Sequence, residues 1–128
     1  MIMRRHRRSG GLALLVCSLI FLLLMANSAL VRARDVDLLL INRTGVDIRE
    51  LYVSRQGTQE WEADRLRGQT LRNGGGLQTR LARWESDRWD IKIVDGEGTS
   101  LEWTGLNLAR ASQVTLYLRD GRVYADLE

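Results

Sequence analysis

The sequence predicts an all-β fold, a small antiparallel β-sandwich of about seven strands, preceded by an N-terminal signal or anchor helix. Three observations lead to this prediction. Beyond residue 34 the apolar side chains recur at every second position, which is the period of a half-buried strand. Gly, Asn and Asp interrupt this alternation roughly every 8–12 residues, as in sandwiches and small barrels. The 128 residues suffice for one domain.

Seven segments carry the strand pattern. In chain order they are Asp35–Ile41, Val46–Ser54, Leu77–Trp84, the row Trp89, Ile91 and Ile93, Thr99–Trp103, the row Val114, Leu116 and Leu118, and the row Val123, Ala125 and Leu127. The parity of the second strand shifts between Ile48 and Leu51, which indicates a β-bulge. Asp95–Gly98 has the composition of a hairpin turn.

Three finer expectations concern positions around these strands. Trp89 is predicted to face the core, whereas Asp90 and Lys92 are predicted to face solvent. Residues 55–76 are the least regular part, in which Glu60–Arg67 is a candidate for one helical turn. Thr104–Ala111 is predicted to be a connection.

Residues 1–33 read as a targeting segment, and residues 34–128 as the folded domain. A basic run at positions 4–8 precedes an apolar stretch from Leu12 to Ala26, the layout of a secretory signal. Small residues allow cleavage after Ser28 or after Ala33. Alternatively, residues 12–31 stay in the inner membrane as an anchor, since about 20 apolar residues can span it. Both alternatives predict a domain outside the cytoplasm, periplasmic or secreted.

The composition of the domain excludes several kinds of catalytic and metal-binding site. Five of the 19 basic residues lie in the first 33 positions, which leaves 14 basic and 16 acidic residues in the domain, a net charge of −2. The single Cys and the single His also lie in that first stretch. The domain therefore has no thiol nucleophile, Ser-His-Asp triad or His-bound metal. Acidic residues alternate with the arginines, so no nucleic-acid surface is expected.

Four short sequence motifs carry a resemblance to one protein family. They are Asn42, Thr44, Gly45, Ile48 and Leu51–Ser54; then Trp61, Asp64 and Leu66; then Trp89–Ile91; and finally Leu108, Ser112 and Val114–Leu116. In this order and spacing the chain resembles a family of short exported bacterial β-domains of unknown function. The resemblance covers most of residues 38–118 and departs at Gly74–Gly76, where a turn with Pro and Gly is expected. It implies export and a compact β-domain, and it implies no reaction.

The candidate binding residues lie in the irregular segment. Trp61 stands among charged residues, and it is either a plug for the open end of the sandwich or part of a contact surface with Asp64, Arg65 and Arg67. Asp64 is expected to tie down its loop by hydrogen bonds. A weak Ca²⁺ candidate is the pair Asp95 and Glu97, although a tight hairpin explains the same residues.

These observations favour a non-enzymatic interaction domain of the bacterial cell envelope, with no cofactor and with a protein as its partner. The alternative is a ligand-binding or inhibitory module for envelope polysaccharide or its hydrolases, with Trp61 and the Arg/Asp-rich loop as the contact.

Overall fold

The computed structural model describes residues 13–21, 35–82 and 85–128. Residues 35–128 form one compact unit, and the residues described there form seven strands. The strands are β1 (Asp35–Arg43), β2 (Ile48–Arg55), β3 (Gly76–Ala82), β4 (Trp89–Asp95), β5 (Ser100–Leu106), β6 (Gln113–Arg119) and β7 (Arg122–Leu127). A short 3-10 helix, Leu108–Arg110, lies between β5 and β6. The predicted all-β class and the seven strands are confirmed.

The strands form a four-stranded sheet in the order β3-β1-β6-β7 and a three-stranded sheet in the order β2-β4-β5. All pairs are antiparallel except β1 and β6, which are parallel. The expectation of a wholly antiparallel fold is therefore wrong at this pair. The reason is topological: the chain leaves the four-stranded sheet after β3, builds β4 and β5 in the other sheet, and returns beside β1 in the same direction.

Both sheets contribute to one hydrophobic core. Its fully buried members are Leu38, Leu40, Ile48, Leu51, Val53, Leu81, Trp89, Ile91, Ile93, Leu108, Val114 and Leu116. Trp89 is buried as predicted, Trp103 is buried as well, and each indole N–H has a carbonyl acceptor. Trp89 Nε1 donates to the carbonyl of Ser86 at 3.0 Å, and Trp103 Nε1 donates to that of Tyr124 at 2.7 Å. A buried indole usually requires such a partner.

The local geometry follows the sequence pattern at several points. In β1 buried and accessible residues alternate, so one face enters the core. The register between β2 and β4 shifts between Ile48 and Glu50, which confirms the predicted bulge. The β4–β5 hairpin turns at the predicted residues. Leu118 is only partly buried, because β6 ends at Arg119 near the edge of the core.

Several strand ends differ from the predictions by one or two residues, and two segments differ by more. β5 continues to Leu106, so the connection that was predicted to begin at Thr104 begins three residues later, after Leu106. Glu60–Arg67 is irregular and ends in a turn rather than forming a helix, because the amides of Glu62 and Arg65 bond to β2. Both differences arise from long-range hydrogen bonds that local composition does not encode.

The N-terminal part is described only over residues 13–21, which are α-helical with exposed side chains. Within the described residues, no helix has the length and apolar character needed to cross a membrane. The two candidate cleavage positions, after Ser28 and after Ala33, lie outside the described residues, as do Trp84 and most of the candidate anchor 12–31.

Candidate functional site

The segment between β2 and β3, residues 56–75 (the 56–75 loop), covers the outer edge of β2. The amide of Glu62 donates to the carbonyl of Val53 at 3.0 Å, and the amide of Arg65 donates to that of Leu51 at 2.8 Å. Further along, Ile48 and Leu71 exchange two backbone hydrogen bonds of 2.9 Å. The loop thereby satisfies backbone groups that an edge strand would otherwise present to solvent.

Asp64 fixes this loop to β2. Its Oδ1 accepts hydrogen bonds of 2.9 Å from the amides of Leu51 and of Leu66. Leu66 is buried in the core, and so the carboxylate sets the depth at which the loop packs. The structure thus confirms that Asp64 ties down the loop by hydrogen bonds.

Arg65 joins the loop to the other sheet. Its guanidinium donates to the carbonyl of Arg80 at 2.7 Å and to Oγ1 of Thr79 at 3.2 Å, and it forms an ion pair with Glu62. Arg80 belongs to the edge strand β3, so this side chain bridges the gap between β2 and β3. Arg67, in contrast, is exposed and has a positive φ of 51° at the tip of a turn.

Trp61 lies on the outer face of the three-stranded sheet. The Lys92 ammonium is 4.5 Å from the centroid of the Trp61 ring and 5.0 Å from that of the Tyr52 ring. All three side chains are half-buried. We call Tyr52, Trp61 and Lys92 the aromatic face. The Lys92 charge is stabilised by the electron-rich faces of both rings.

Acidic groups border the aromatic face. The Tyr52 hydroxyl donates to the Glu50 carboxylate at 2.7 Å. This hydrogen bond is the main cause that raises the pKa of Tyr52 above 10.0, and desolvation and the charges of Glu50 and Asp64 add to it. On the other side, Lys92 is opposite Glu102 of β5. The face therefore combines an aromatic centre with a charged, exposed rim.

Asp90 is buried, which contradicts the prediction that it faces solvent. Its Oδ1 accepts from the amide of Gly105 at 2.8 Å, and its Oδ2 accepts from the amide of Gly57 at 3.0 Å. The carboxylate is on the outer face of its strand, as alternation requires, but a turn after β2 and the end of β5 close over it. Its role is to hold these two segments.

Asn42 has a similar role at the turn after β1. Its amide nitrogen donates to the carbonyls of Val46 at 2.8 Å and of Leu71 at 3.0 Å. Its Oδ1 accepts from the amide of Thr44 at 3.1 Å and from the hydroxyl of Thr44 at 2.7 Å. The Asn-x-Thr-Gly segment thus links its own turn to the 56–75 loop.

The weak Ca²⁺ candidate, Asp95 with Glu97, lies at the β4–β5 turn. Oδ1 of Asp95 accepts from the amides of Glu97 and Thr99, both at 2.9 Å, as an Asx turn does. Among the residues that the structure describes, no group of three or more acidic, His or Cys side chains is placed to hold a metal ion. The hairpin interpretation accounts for both residues.

A polar groove of 690 Å³ runs between the 56–75 loop and β3. Its lining includes Arg65, Arg67, Gln69, Gln78 and Arg80. Three of the four predicted binding residues, Asp64, Arg65 and Arg67, line this groove, whereas Trp61 points to the aromatic face. The structure therefore separates the predicted site into two surfaces.

Sequence reasoning missed Tyr52 and Lys92 as members of a surface. The alternation of apolar and polar residues places both side chains on outward faces of their strands, and this alternation was the sequence signal that could have indicated a surface role. Their contact with Trp61 depends on the pairing of β2 with β4, which brings Tyr52 opposite Lys92. Strand pairing cannot be read from either segment alone.

These features define a small all-β domain of two sheets with one core. No protein-family model matches the chain, and no curated protein matches it. The chain is similar to a solved structure described as the NMR structure of the protein from Eubacterium rectale. The TM-score is 0.50 at 15% sequence identity, over 73% of this chain and 88% of that chain. At this identity the likeness shows the fold alone.

Proposed function

We propose that this chain is an exported, non-enzymatic interaction domain of the bacterial cell envelope, a β-sandwich that binds a partner protein through its aromatic face. The observation that carries the proposal is the position of the Lys92 ammonium over the rings of Trp61 and Tyr52, on the outer side of a sheet. The resemblance to short exported bacterial β-domains supports the export in this proposal.

The composition of the aromatic face suits a protein contact. Trp and Tyr are the residues that most often dominate binding energy at interfaces, and charged residues usually form the rim. Here Trp61 and Tyr52 are the centre, and the exposed Glu50 and Glu102 are the rim. When a partner excludes water from Lys92, its interaction with the two rings strengthens, because less solvent screens it.

Export is supported by the charge asymmetry of the chain. The N-terminal segment holds a basic run followed by an apolar run and has no acidic residue before Asp35. We expect the domain in the periplasm, released by cleavage or held by an uncleaved anchor. Sequencing the N-terminus of the protein from envelope fractions distinguishes the two, and recovery from the cytoplasm alone would contradict export.

The partner is tested by affinity capture from envelope extracts. We expect wild type to retain a specific protein and Trp61→Ala to lose it. Tyr117→Ala is the matched control, since the Arg119 guanidinium lies 5.1 Å from the Tyr117 ring, a similar cation–aromatic pair on a strand of the other sheet. It should bind like wild type.

Folding of each variant is checked by its circular dichroism and unfolding midpoint. If Trp61→Ala unfolds, Lys92→Met replaces it, because Met keeps the aliphatic packing and removes only the charge. Capture that is equal for wild type, the aromatic-face variant and the control would show that the aromatic face is not the contact. Capture of nothing specific by wild type would refute the interaction domain itself.

The polar groove favours a second candidate, a ligand-binding or inhibitory module for envelope polysaccharide or its hydrolases. Arg67 is exposed there beside the amides of Gln69 and Gln78, which are suitable groups for sugar hydroxyls. Titration with soluble peptidoglycan fragments should shift the NMR signals of the two Gln side-chain amides. Arg67→Ala should weaken that binding, and unchanged spectra at saturating fragment would exclude this candidate.

A further inference from the structure

The outer edge of β7 presents a row of backbone hydrogen-bonding groups. Gln113 and Glu128 exchange both backbone hydrogen bonds, of 3.1 and 3.0 Å, next to the β6–β7 ladder. Bonded and non-bonded pairs alternate along an antiparallel ladder. The amides and carbonyls of Val123, Ala125 and Leu127 therefore point away from β6, toward the outside of the sheet.

At the other sheet edges, part of the backbone is covered or paired. The 56–75 loop covers β2, and Arg65 occupies the Arg80 carbonyl of β3. At the end of β5, Gly105 bonds through its amide to Asp90 and through its carbonyl to Arg88. For the outward backbone groups of β7, no hydrogen-bond partner lies within residues 35–82 or 85–128.

Apart from the charges of Arg122 and Asp126, the composition of β7 does little to protect its edge. Natural edge strands carry Lys, Pro, bulges or covering loops that prevent pairing with another chain. The middle of β7 reads Val-Tyr-Ala-Asp-Leu without Lys or Pro, and its pairing with β6 has no bulge. Tyr124 is 48% exposed and Leu127 is 40% exposed. An open groove of 840 Å³ between β5 and β7 leaves this side accessible.

We propose that two copies of this chain pair through their β7 strands, antiparallel about a two-fold axis at Ala125, so that the four-stranded sheets join into one. A second copy fits because this register is self-complementary. It places Arg122 opposite Glu128 of the partner, twice, and opposite charges across strands are stabilising. On the other face it places Leu127 opposite Val123 of the partner, which covers an exposed apolar side chain.

The register also satisfies the backbone. Residues with outward groups face one another in it, Ala125 with Ala125 and Val123 with Leu127, as the bonded pairs of an antiparallel ladder do. A two-fold contact of this kind is closed, so it yields a dimer and not a fibre. The inference concerns the four-stranded sheet and is independent of the aromatic face on the other sheet.

The experiment measures the association of the full chain in detergent by sedimentation equilibrium. We expect a concentration-dependent dimer. Arg122→Glu places a glutamate opposite Glu128 of the other copy at both ends of the contact. This repulsion should weaken dimerisation by on the order of tenfold or more. Adding Glu128→Arg in the same chain restores opposite charges and should restore the dimer. Arg49→Glu makes the same charge change at an exposed residue of β2 and should leave dimerisation unaffected.

Hydrogen exchange provides a second readout. The amides of Val123, Ala125 and Leu127 should exchange slowly at dimer concentrations and fast on dilution, whereas the amide of Tyr124, bonded within the sheet, should be protected in both. A chain that stays monomeric at high concentration would overturn the proposal. A dimer that is insensitive to Arg122→Glu, or that forms without slowing these three amides, would do so as well.

Discussion

At the scale of single residues, the polar side chains buried in this domain act on its own backbone. Asp90 accepts two amide hydrogen bonds from segments distant in sequence, and Asn42 bonds to two carbonyls. The half-buried Asp64 accepts one amide from Leu51 of β2 and one from Leu66 of its own turn. A buried polar group costs free energy unless it is paired, so each of these residues also fixes the segments that it pairs with.

Asp90→Asn should destabilise the domain. Each oxygen of Asp90 accepts one hydrogen bond from a backbone amide. Asparagine replaces one of these oxygens by an NH₂ group, so two hydrogen-bond donors then face each other in a buried position. We expect the free energy of unfolding to fall by about 1–3 kcal/mol in urea.

Asp95→Asn is the matched control for this substitution. Asp95 accepts both of its amides through a single oxygen, which Asn retains, so its effect should be small. Equal losses for the two variants would contradict this assignment of Asp90.

Tyr52 should give the stability of the domain an alkaline pH dependence. Its pKa is raised in the fold, mainly by the hydrogen bond to Glu50, so the folded state holds the proton more tightly than the unfolded chain does. The resulting contribution to stability is complete below pH 10.0 and is lost as the pH rises through the raised value. Urea unfolding at several alkaline pH values measures this loss.

Two variants check the origin of that dependence. Tyr52→Phe removes the titrating group, and Glu50→Gln removes the charge that opposes its ionisation. Both should show a shallower decline of stability with pH than wild type. A decline that is unchanged in Tyr52→Phe would assign it to other groups.

At the scale of elements, the hairpins depend on residues with positive φ. In the β4–β5 turn the amide of Gly98 donates to the carbonyl of Asp95 at 3.2 Å, and Gly98 has a φ of 83°. In the β6–β7 turn Asp120 and Gly121 both have positive φ, as a two-residue type I′ turn requires. These turns set the register of the strands on either side.

The two glycines of the β4–β5 turn should respond oppositely to alanine. Gly98→Ala places a Cβ in the left-handed region and should cost about 1–2 kcal/mol, although no atom lies within 4 Å of the new carbon. Gly96 lacks a positive φ and meets only the Arg49 side chain at 3.6 Å. Gly96→Ala should therefore be neutral or stabilise the domain by about 0.4–1 kcal/mol.

Thermal or urea unfolding of both variants tests the assignment. If Gly96→Ala were the more damaging change, the conformation of this turn would differ from the one described.

At the scale of the molecule, the two sheets share a single core and should unfold together. Leu40 on the four-stranded sheet and Trp89 on the three-stranded sheet belong to the same buried cluster. A second link is the hydrogen bond from Trp103 to the carbonyl of Tyr124, which joins β5 to β7 across the sheets.

Leu40→Ala should lower the stability of both sheets equally, by about 2–5 kcal/mol, because it opens a cavity in the shared core. Circular dichroism follows both sheets, whereas tryptophan fluorescence follows mainly the three-stranded sheet through Trp89 and Trp103. Coincident unfolding transitions are expected before and after the substitution. Separate transitions would show that the sheets are independent units.

Much of the fold could be predicted from local pattern. The bulge near Ile48, the hairpin at Asp95 and the burial of Trp89 follow from period-two alternation and turn composition, which act within a few residues. The surroundings of Asp90 could not be predicted, because Gly57 and Gly105 approach it from other segments. The same limit applies to the candidate site, where Asp64 was recognised but the partners of Trp61 were not.

The sequence by itself determined the strands, most of the turns and the residues that face the core, because side-chain alternation and backbone φ preferences are local properties. Tertiary structure alone decided the order of the strands and the parallel pairing of β1 with β6. It also decided which sheet edges are covered and that Trp61, Tyr52 and Lys92 meet on one face. These features depend on contacts between distant segments, whose choice is made by the packing of the whole core.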